Sequence, residues 1–479
     1  MNSKLLMIIK ALVCIILMQI CVAGDLFSKE DDKIVSLPGQ PQVSFQQYAG
    51  YVTIDEKQRR ALFYYFVEAE SEPASKPFVL WLTGGPGCSS VGAGAFSGHG
   101  PFRTSDGENL SRHEYSWNKE ANMLYVESPA GVGFSYSANA SFYDSVNDTI
   151  TAQDNLKFLQ IWFVKFPEYK SRDLFIAGES YGGHYVPQLA KLIARSGLKF
   201  NLKSIAIGNP LLDFNTDMNS RGDYYWSHGL ISDPTYKLVT TICNTSQLAR
   251  EQISGSSSVA CKAVNAQLSK EIPDAIDNYD VSADVCVSYG QSQLKVYNRP
   301  LRPRFHFPLF SESLEEGPNQ PKSAENIDVC VQPKTLVYLN RKDVREALHA
   351  QLVGVSNWSF CSQVLNYDLK NLEIPMIDVV GSLVSSGISV LVYSGDQDSV
   401  VPFAGSRTLV NGLAKKLSLN ATVTYRPWFQ NKQVGGWTQV YGETLTFTTI
   451  RGGSHLAPLS SPKRSLAVFK AFLAGNPLA

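Results

Sequence analysis

Between residues 48 and 212 the chain alternates short apolar runs with longer amphipathic stretches. "YAGYVTI" and "RALFYYFVEAE" predict two early strands joined by the turn-forming "DEKQ". "PFVLWLTGGPG" predicts a strand entering a glycine-rich loop, and "NMLYVESP" predicts another strand. "SVNDTITAQDNLKFLQIWFVKFPEY" has helical spacing and is closed by Pro167. An apolar strand follows from Asp173 to Ala177, then a helix from Tyr185 to Ala194, then "KSIAIGNPLLD". Strands apolar on both faces that alternate with helices specify a mostly parallel sheet covered on both sides.

That rhythm stops near Phe214. Residues 214 to about 340 hold four of the cysteines and the proline-rich "YNRPLRPRFHFPLF", so they predict a disulfide-bearing insertion rather than part of the sheet. Within it, roughly 297–326 is expected to be an exposed loop and a site of processing. The rhythm resumes with the strand "GISVLVYSGDQDSVVP" and the helix "AGSRTLVNGLAKKL". The strand "NATVTYRPWF", a hairpin through Gly435-Gly436, the strand of "TLTFTTIRGGSHLAPL" and a last helix "PKRSLAVFKAFLAG" complete it. The chain therefore reads as one α/β domain, residues 25–479, interrupted by an insertion.

The first 24 residues differ from the rest. Lys4 and Lys10 precede the apolar run Ala11–Ile20, and small residues follow to Gly24, the pattern of a signal peptide. The run is too short to span a bilayer comfortably, so the mature chain is expected to enter the secretory pathway and leave the membrane. Six cysteines remain after it: Cys88, Cys243, Cys261, Cys286, Cys330 and Cys361. An even set in a secreted chain predicts three disulfides, with 15 connectivities left open. Sequons at Asn109, Asn139, Asn147, Asn244, Asn357 and Asn420 are candidate glycosylation sites. Lys plus Arg and Asp plus Glu balance at 43 each, which argues against nucleic acid or an anionic membrane as partner. No Cys-x-x-Cys or His-Glu-x-x-His pattern occurs, and neither a metal nor a cofactor is expected.

The candidate chemistry lies in Gly178-Glu179-Ser180-Tyr181-Gly182, a strand-to-helix turn with a serine at its tip. Glycines flank it because bulky neighbours would clash with the strand and helix. A serine at its ordinary pKa needs a base, and the base needs an orienting carboxylate. In an α/β-hydrolase the order is Ser, Asp, His, and the chain supplies Asp398 after one late strand and His455 after another. Asp396 ends the same strand and competes as orienter. His184, in the first turn after the elbow, reads as structural; His99 is a lesser candidate for the site wall and His349 a surface or capping residue. One oxyanion amide is expected from Tyr181 and another from Gly84 or Gly85 in "LTGGPGCSS".

Eight blocks in order, from "LPGQPQVSFQQYAGYVTID" through "LWLTGGPGCSS", "SWNKEANMLYVESPAGVGFSYS", "FIAGESYGGHYVP", "IGNPLLD", "YLNRKDVREALHA" and "YSGDQDSVVP" to "RGGSHLAPLSSP", resemble the serine carboxypeptidase family, in particular its plant carboxypeptidase-like branch. The resemblance implies an α/β-hydrolase fold with a helical insertion and a Ser180–Asp398–His455 triad. It also implies oxyanion amides from Gly85 and Tyr181, and disulfides Cys88–Cys361, Cys243–Cys261 and Cys286–Cys330. Residence is implied to be vacuolar or extracellular. The implied partner is a peptide or small acyl substrate, with a homodimer left open.

Family carboxypeptidases hold the substrate carboxylate with a Trp, an Asn and two Glu. Trp81 and Glu179 match that set; Thr83 stands for the Asn and Gly98 for the other Glu. Two close carboxyl groups share a proton in mild acid. Without a partner at 98, Glu179 is expected to repel a substrate carboxylate once ionised, and Thr83 offers one hydroxyl where an amide donates two hydrogen bonds. Each lost bond to a charged group costs on the order of 1.5–3 kcal/mol. Acyl-transfer chemistry is thus expected intact, with free-carboxylate recognition weakened. Three functions follow: a serine carboxypeptidase, an acyltransferase that uses glucose esters, and a binding glycoprotein of little activity.

Overall fold

The computed structural model describes residues 29–286 and 328–479. The expected signal peptide (1–24) and processing loop (297–326) lie outside the described residues. The strands are β1 (Gln47–Asp55), β2 (Arg60–Val67), β3 (Phe78–Thr83), β4 (Phe102–Thr104), β5 (Leu110–Arg112), β6 (Asn122–Val126) and β7 (Tyr136–Ser137). They continue with β8 (Asp173–Glu179), β9 (Asn201–Gly208), β10 (Ser389–Gly395), β11 (Ala421–Gln430), β12 (Gln433–Tyr441) and β13 (Leu445–Ile450). The main sheet runs β1-β2-β6-β3-β8-β9-β10-β13-β12-β11, with β7 on β2. Its centre, β6 to β13, is parallel, and antiparallel hairpins finish both edges.

Alternation along the parallel strands explains the two-layer burial. In β3, Leu80 and Leu82 face one core while Val79 and Trp81 face the other. The first face is covered by α1 (Asp148–Lys165) and α2 (Gly182–Arg195), through Phe158, Leu159 and Trp162 of α1 and Tyr185, Val186, Leu189 and Ile193 of α2. That spacing is one stripe of a helix. Asn147 caps α1 by accepting from Ile150 N at 3.0 Å, and Pro167 lies just past its end.

Between β9 and β10 the chain forms α3 (Phe214–Ser227), α4 (Asp233–Thr241), α5 (Thr245–Ser254) and α6 (Val259–Glu271). After residue 327 come α7 (Val331–Asn340), α8 (Lys342–Ala347) and α9 (Ile377–Ser385). One of the 15 connectivities open to the cysteines is formed: Cys88–Cys361, Cys243–Cys261 and Cys286–Cys330. The C-terminal part adds α10 (Phe403–Lys416), α11 (Ala457–Ser460) and α12 (Pro462–Ala474). Among the described residues no helix is long and apolar enough to cross a membrane.

One local expectation fails. The hairpin of β11 and β12 turns at Asn431-Lys432, both with positive φ, and Gly435-Gly436 lie inside β12. Gly435 is glycine because Trp428 packs where a Cβ would project, and Gly436, at φ +155°, because a Cβ there would meet the Thr449 carbonyl.

Candidate active site

Ser180 sits between β8 and α2 with φ +60°, the left-handed conformation of a tight strand-to-helix bend. The bend is pinned: Ser180 N donates to Gly208 O at 2.9 Å, and Leu211 N donates to Ser180 O at 3.1 Å. Ser180 and His455 line one cleft together with Thr83, Gly84, Gly85, Glu179 and Tyr279.

His455 Nδ1 donates to Asp398 Oδ2 at 2.7 Å, while Nε2 is buried without a hydrogen-bond partner. Asp398 is fully buried and also accepts from Asn209 Nδ2 (2.8 Å), Val400 N (2.7 Å) and Val401 N (3.2 Å). Burial alone would lower the pKa of the imidazole, but Asp398, with Glu179 and Asp277, outweighs it and holds the value above ordinary. Asp396, the competing orienter, accepts from Gly452 N (2.7 Å) and Gln397 Nε2 (3.0 Å) instead.

The glycine-rich loop meets the elbow. A Cβ on Gly84 would collide with Tyr181 N, so only glycine lets the two backbones approach this closely. Gly85 follows at φ +115°, and both glycines line the cleft with Ser180. Tyr181 N lies at the start of α2, where negative charge is favoured.

The residues expected to hold a substrate carboxylate separate. Thr83 and Glu179 are register partners on β3 and β8 and both line the cleft. Trp81 contributes through Thr83, donating to its hydroxyl at 2.9 Å. Gly98 ends a π-helical turn, Ser90–Gly98, in which a Cβ would lie 2.7 Å from Ala93 O, and it is not in the cleft lining. The expectation for Glu179 is revised. Burial, opposed by His455 and then Thr83, raises it to about 8, so it stays neutral in acid without a second carboxyl group, and its Oε1 has no hydrogen-bond partner.

Of the other histidines, His184 is structural, with Nδ1 2.8 Å from Asp148 Oδ2. His99 packs between Trp81 and Trp117 outside the cleft lining, with Nδ1 3.1 Å from the Tyr125 hydroxyl. His349 is exposed, its Nδ1 3.0 Å from Ala49 O. Of the sequons, Asn109, Asn139, Asn244, Asn357 and Asn420 are exposed, and Asn147 is half-buried as a helix cap. Among the described residues no cluster of His, Cys, Asp and Glu could hold a metal.

Sequence reading missed two site residues. Asn209 has φ +40° and bridges Asp398 Oδ2 to the Gly395 backbone; an Asn before Pro in "IGNPLLD" was the available signal. Tyr279 comes from the insertion, accepts from His455 N at 2.7 Å through its carbonyl, and sets its ring edge-on to the imidazole at 5.0 Å. No local pattern marks it.

A serine elbow, a buried Asp–His pair and a glycine loop on a parallel sheet define a serine hydrolase of the α/β class. The chain belongs to the serine carboxypeptidase family, whose pattern it matches over residues 38–475. It is 58% identical over 450 residues to serine carboxypeptidase-like 45 of Arabidopsis thaliana, covering 93% of each chain. It is 41% identical over 458 residues to serine carboxypeptidase 24 of the same plant, covering 94% and 93%. The fold is that of a prohormone-processing carboxypeptidase from Saccharomyces cerevisiae, with TM-score 0.70 at 21% identity over 93% and 96% of the two chains. The chain is an enzyme of the serine-type carboxypeptidase class.

Proposed function

We propose that this enzyme removes C-terminal residues from peptides through an acyl-enzyme on Ser180. Its site of action would be the vacuole or the extracellular space. Ser180 Oγ attacks the scissile carbonyl carbon while His455 Nε2 takes its proton, and Asp398 holds the imidazole in the tautomer that leaves Nε2 free to accept. The oxyanion forms against the amides of Gly85 and Tyr181. As the C–N bond breaks, His455 returns the proton to the leaving amine. Water, deprotonated by His455, then attacks the ester, and the acid product leaves as Ser180 regains its proton.

The observation that carries the reading is Glu179. A neutral, buried carboxyl group with an unpartnered oxygen lies in the same cleft as Ser180, and it can donate a hydrogen bond to a substrate carboxylate without opposing its charge. Three disulfides favour an oxidising compartment. Blocked dipeptides and their C-terminal amides decide the reading at pH 5. It requires faster release from the free acid and loss of fluorophosphonate labelling in Ser180→Ala; equal rates on acid and amide would overturn it.

Thr83 in place of Asn favours a second reading, in which an alcohol replaces water as acceptor and the donor is a glucose ester. Transfer from sinapoyl-glucose to an alcohol, with no release from dipeptides, would establish it.

A further inference from the structure

We propose that Asp148 is a positioning residue that holds the two halves of the oxyanion hole in register. The inference rests on the acyl-enzyme reading above, and its observations lie behind the cleft.

Asp148 is the first residue of α1, and its buried carboxylate accepts four side-chain hydrogen bonds. Oδ1 takes the hydroxyls of Tyr181 (2.9 Å) and Tyr367 (2.7 Å). Oδ2 takes His184 Nδ1 (2.8 Å) and Gln188 Nε2 (2.9 Å). Burial pushes its pKa up, but these partners more than offset that, so the group is held below the ordinary carboxylate range.

One of those partners carries a candidate oxyanion amide. Tyr181 is fixed at its backbone by the elbow and at its ring tip by Asp148, and its ring stacks on His184 at 4.3 Å. The other half of the hole is tied to the same cluster. Gly87, two residues after Gly85, donates its N–H to the Tyr185 hydroxyl at 3.1 Å. Tyr185 sits edge-on to Tyr181 at 5.2 Å and to Tyr367 at 6.4 Å. A single aromatic cluster around one carboxylate thus grips both backbones that converge beside Ser180. Donors aimed in advance at a developing charge stabilise a transition state without reorganising, and a displacement of about 1 Å can cost on the order of a hundredfold.

The test is Asp148→Asn, which keeps the shape but presents an acceptor on one side only. With an ester substrate kcat should fall about 10- to 100-fold with KM unchanged within twofold, and affinity for a peptide aldehyde should fall by the same factor. Tyr181→Phe and Tyr185→Phe each remove one hydroxyl and carry the same readout if Asp148→Asn does not fold. Amide exchange at residues 84–88 and at Tyr181 should quicken in all three. A lowered melting temperature with kcat, aldehyde affinity and exchange at these amides unchanged would overturn the proposal. Exchange is independent of turnover, so a wild-type protein inert to fluorophosphonate would remove the acyl-enzyme reading while exchange still decides the hub.

Discussion

The Trp81 indole donates its N–H to the Thr83 hydroxyl at 2.9 Å, and that hydroxyl in turn interacts with Glu179, where it works against the rise of the carboxyl's pKa. The threonine thus joins a fully buried tryptophan to Glu179, its register partner on the next strand.

Thr83→Val should therefore leave the Trp81 donor unpaired and remove a donor from the cleft. A loss of roughly 1–3 kcal/mol corresponds to about a 5- to 150-fold fall in kcat/KM for a free-acid dipeptide. The matching ester should change little, and Thr83→Ser should restore the free acid. Steady-state kinetics on the paired substrates checks this; equal losses on both would place Thr83 in catalysis rather than carboxylate recognition.

Glu179 sets two pH dependences. Its value rises from 4.5 to about 8 in the folded protein, so the native state binds the proton more tightly than the unfolded chain. Its stabilising contribution is complete below about 4.5 and is lost as pH rises through 8. Glu179→Gln, which mimics the neutral form, should flatten that decline, so the variant's melting temperature gains on wild type between these limits. Activity on free-acid substrates should fall over the alkaline part of the same range, while activity on amides should not.

The buried histidines act in the opposite sense. Burial, then the Arg103 charge, lowers His113 from 6.5 to about 3, and burial lowers His99 as well. Both stay neutral in the fold but gain a proton when unfolded, so their contribution is present above 6.5 and is lost as pH falls. His113→Asn should shallow the acid slope of melting temperature against pH. An unchanged slope would show that His113 does not govern it.

The disulfides should differ in worth. Cys88–Cys361 spans 273 residues and Cys243–Cys261 spans 18. Chain-entropy estimates are roughly 5–6 and 3 kcal/mol. Replacing the first pair with alanines should lower the urea midpoint more than replacing the second. Cys88 and Cys361 also line the cleft, so only the first replacement should reduce turnover.

Much of this was legible along the chain. Glycines around Ser180 mark a bend that only a small set of residues tolerates, and apolar runs on both faces of β3, β8 and β10 mark a parallel core, because these depend on neighbours in sequence. The hairpin turns at Asn431-Lys432 and not at Gly435-Gly436, because Gly435 owes its identity to Trp428 on one neighbouring strand and Gly436 to the Thr449 carbonyl on the other, contacts no local pattern records.

By itself the sequence determined which serine, which late acidic strand end and which histidine loop could serve, since order and spacing are properties of the chain. Tertiary structure decided the rest. Asp396 and Asp398 leave the same strand end, and only Asn209 and two amides from the following turn select between them. The charge of Glu179 depends on burial, the cysteine partners on which distant segments meet, and the hub at Asp148 on helices α1 and α2 packing side by side. Each is an energy of contact or desolvation between residues remote in sequence, and it exists only once the layers have closed.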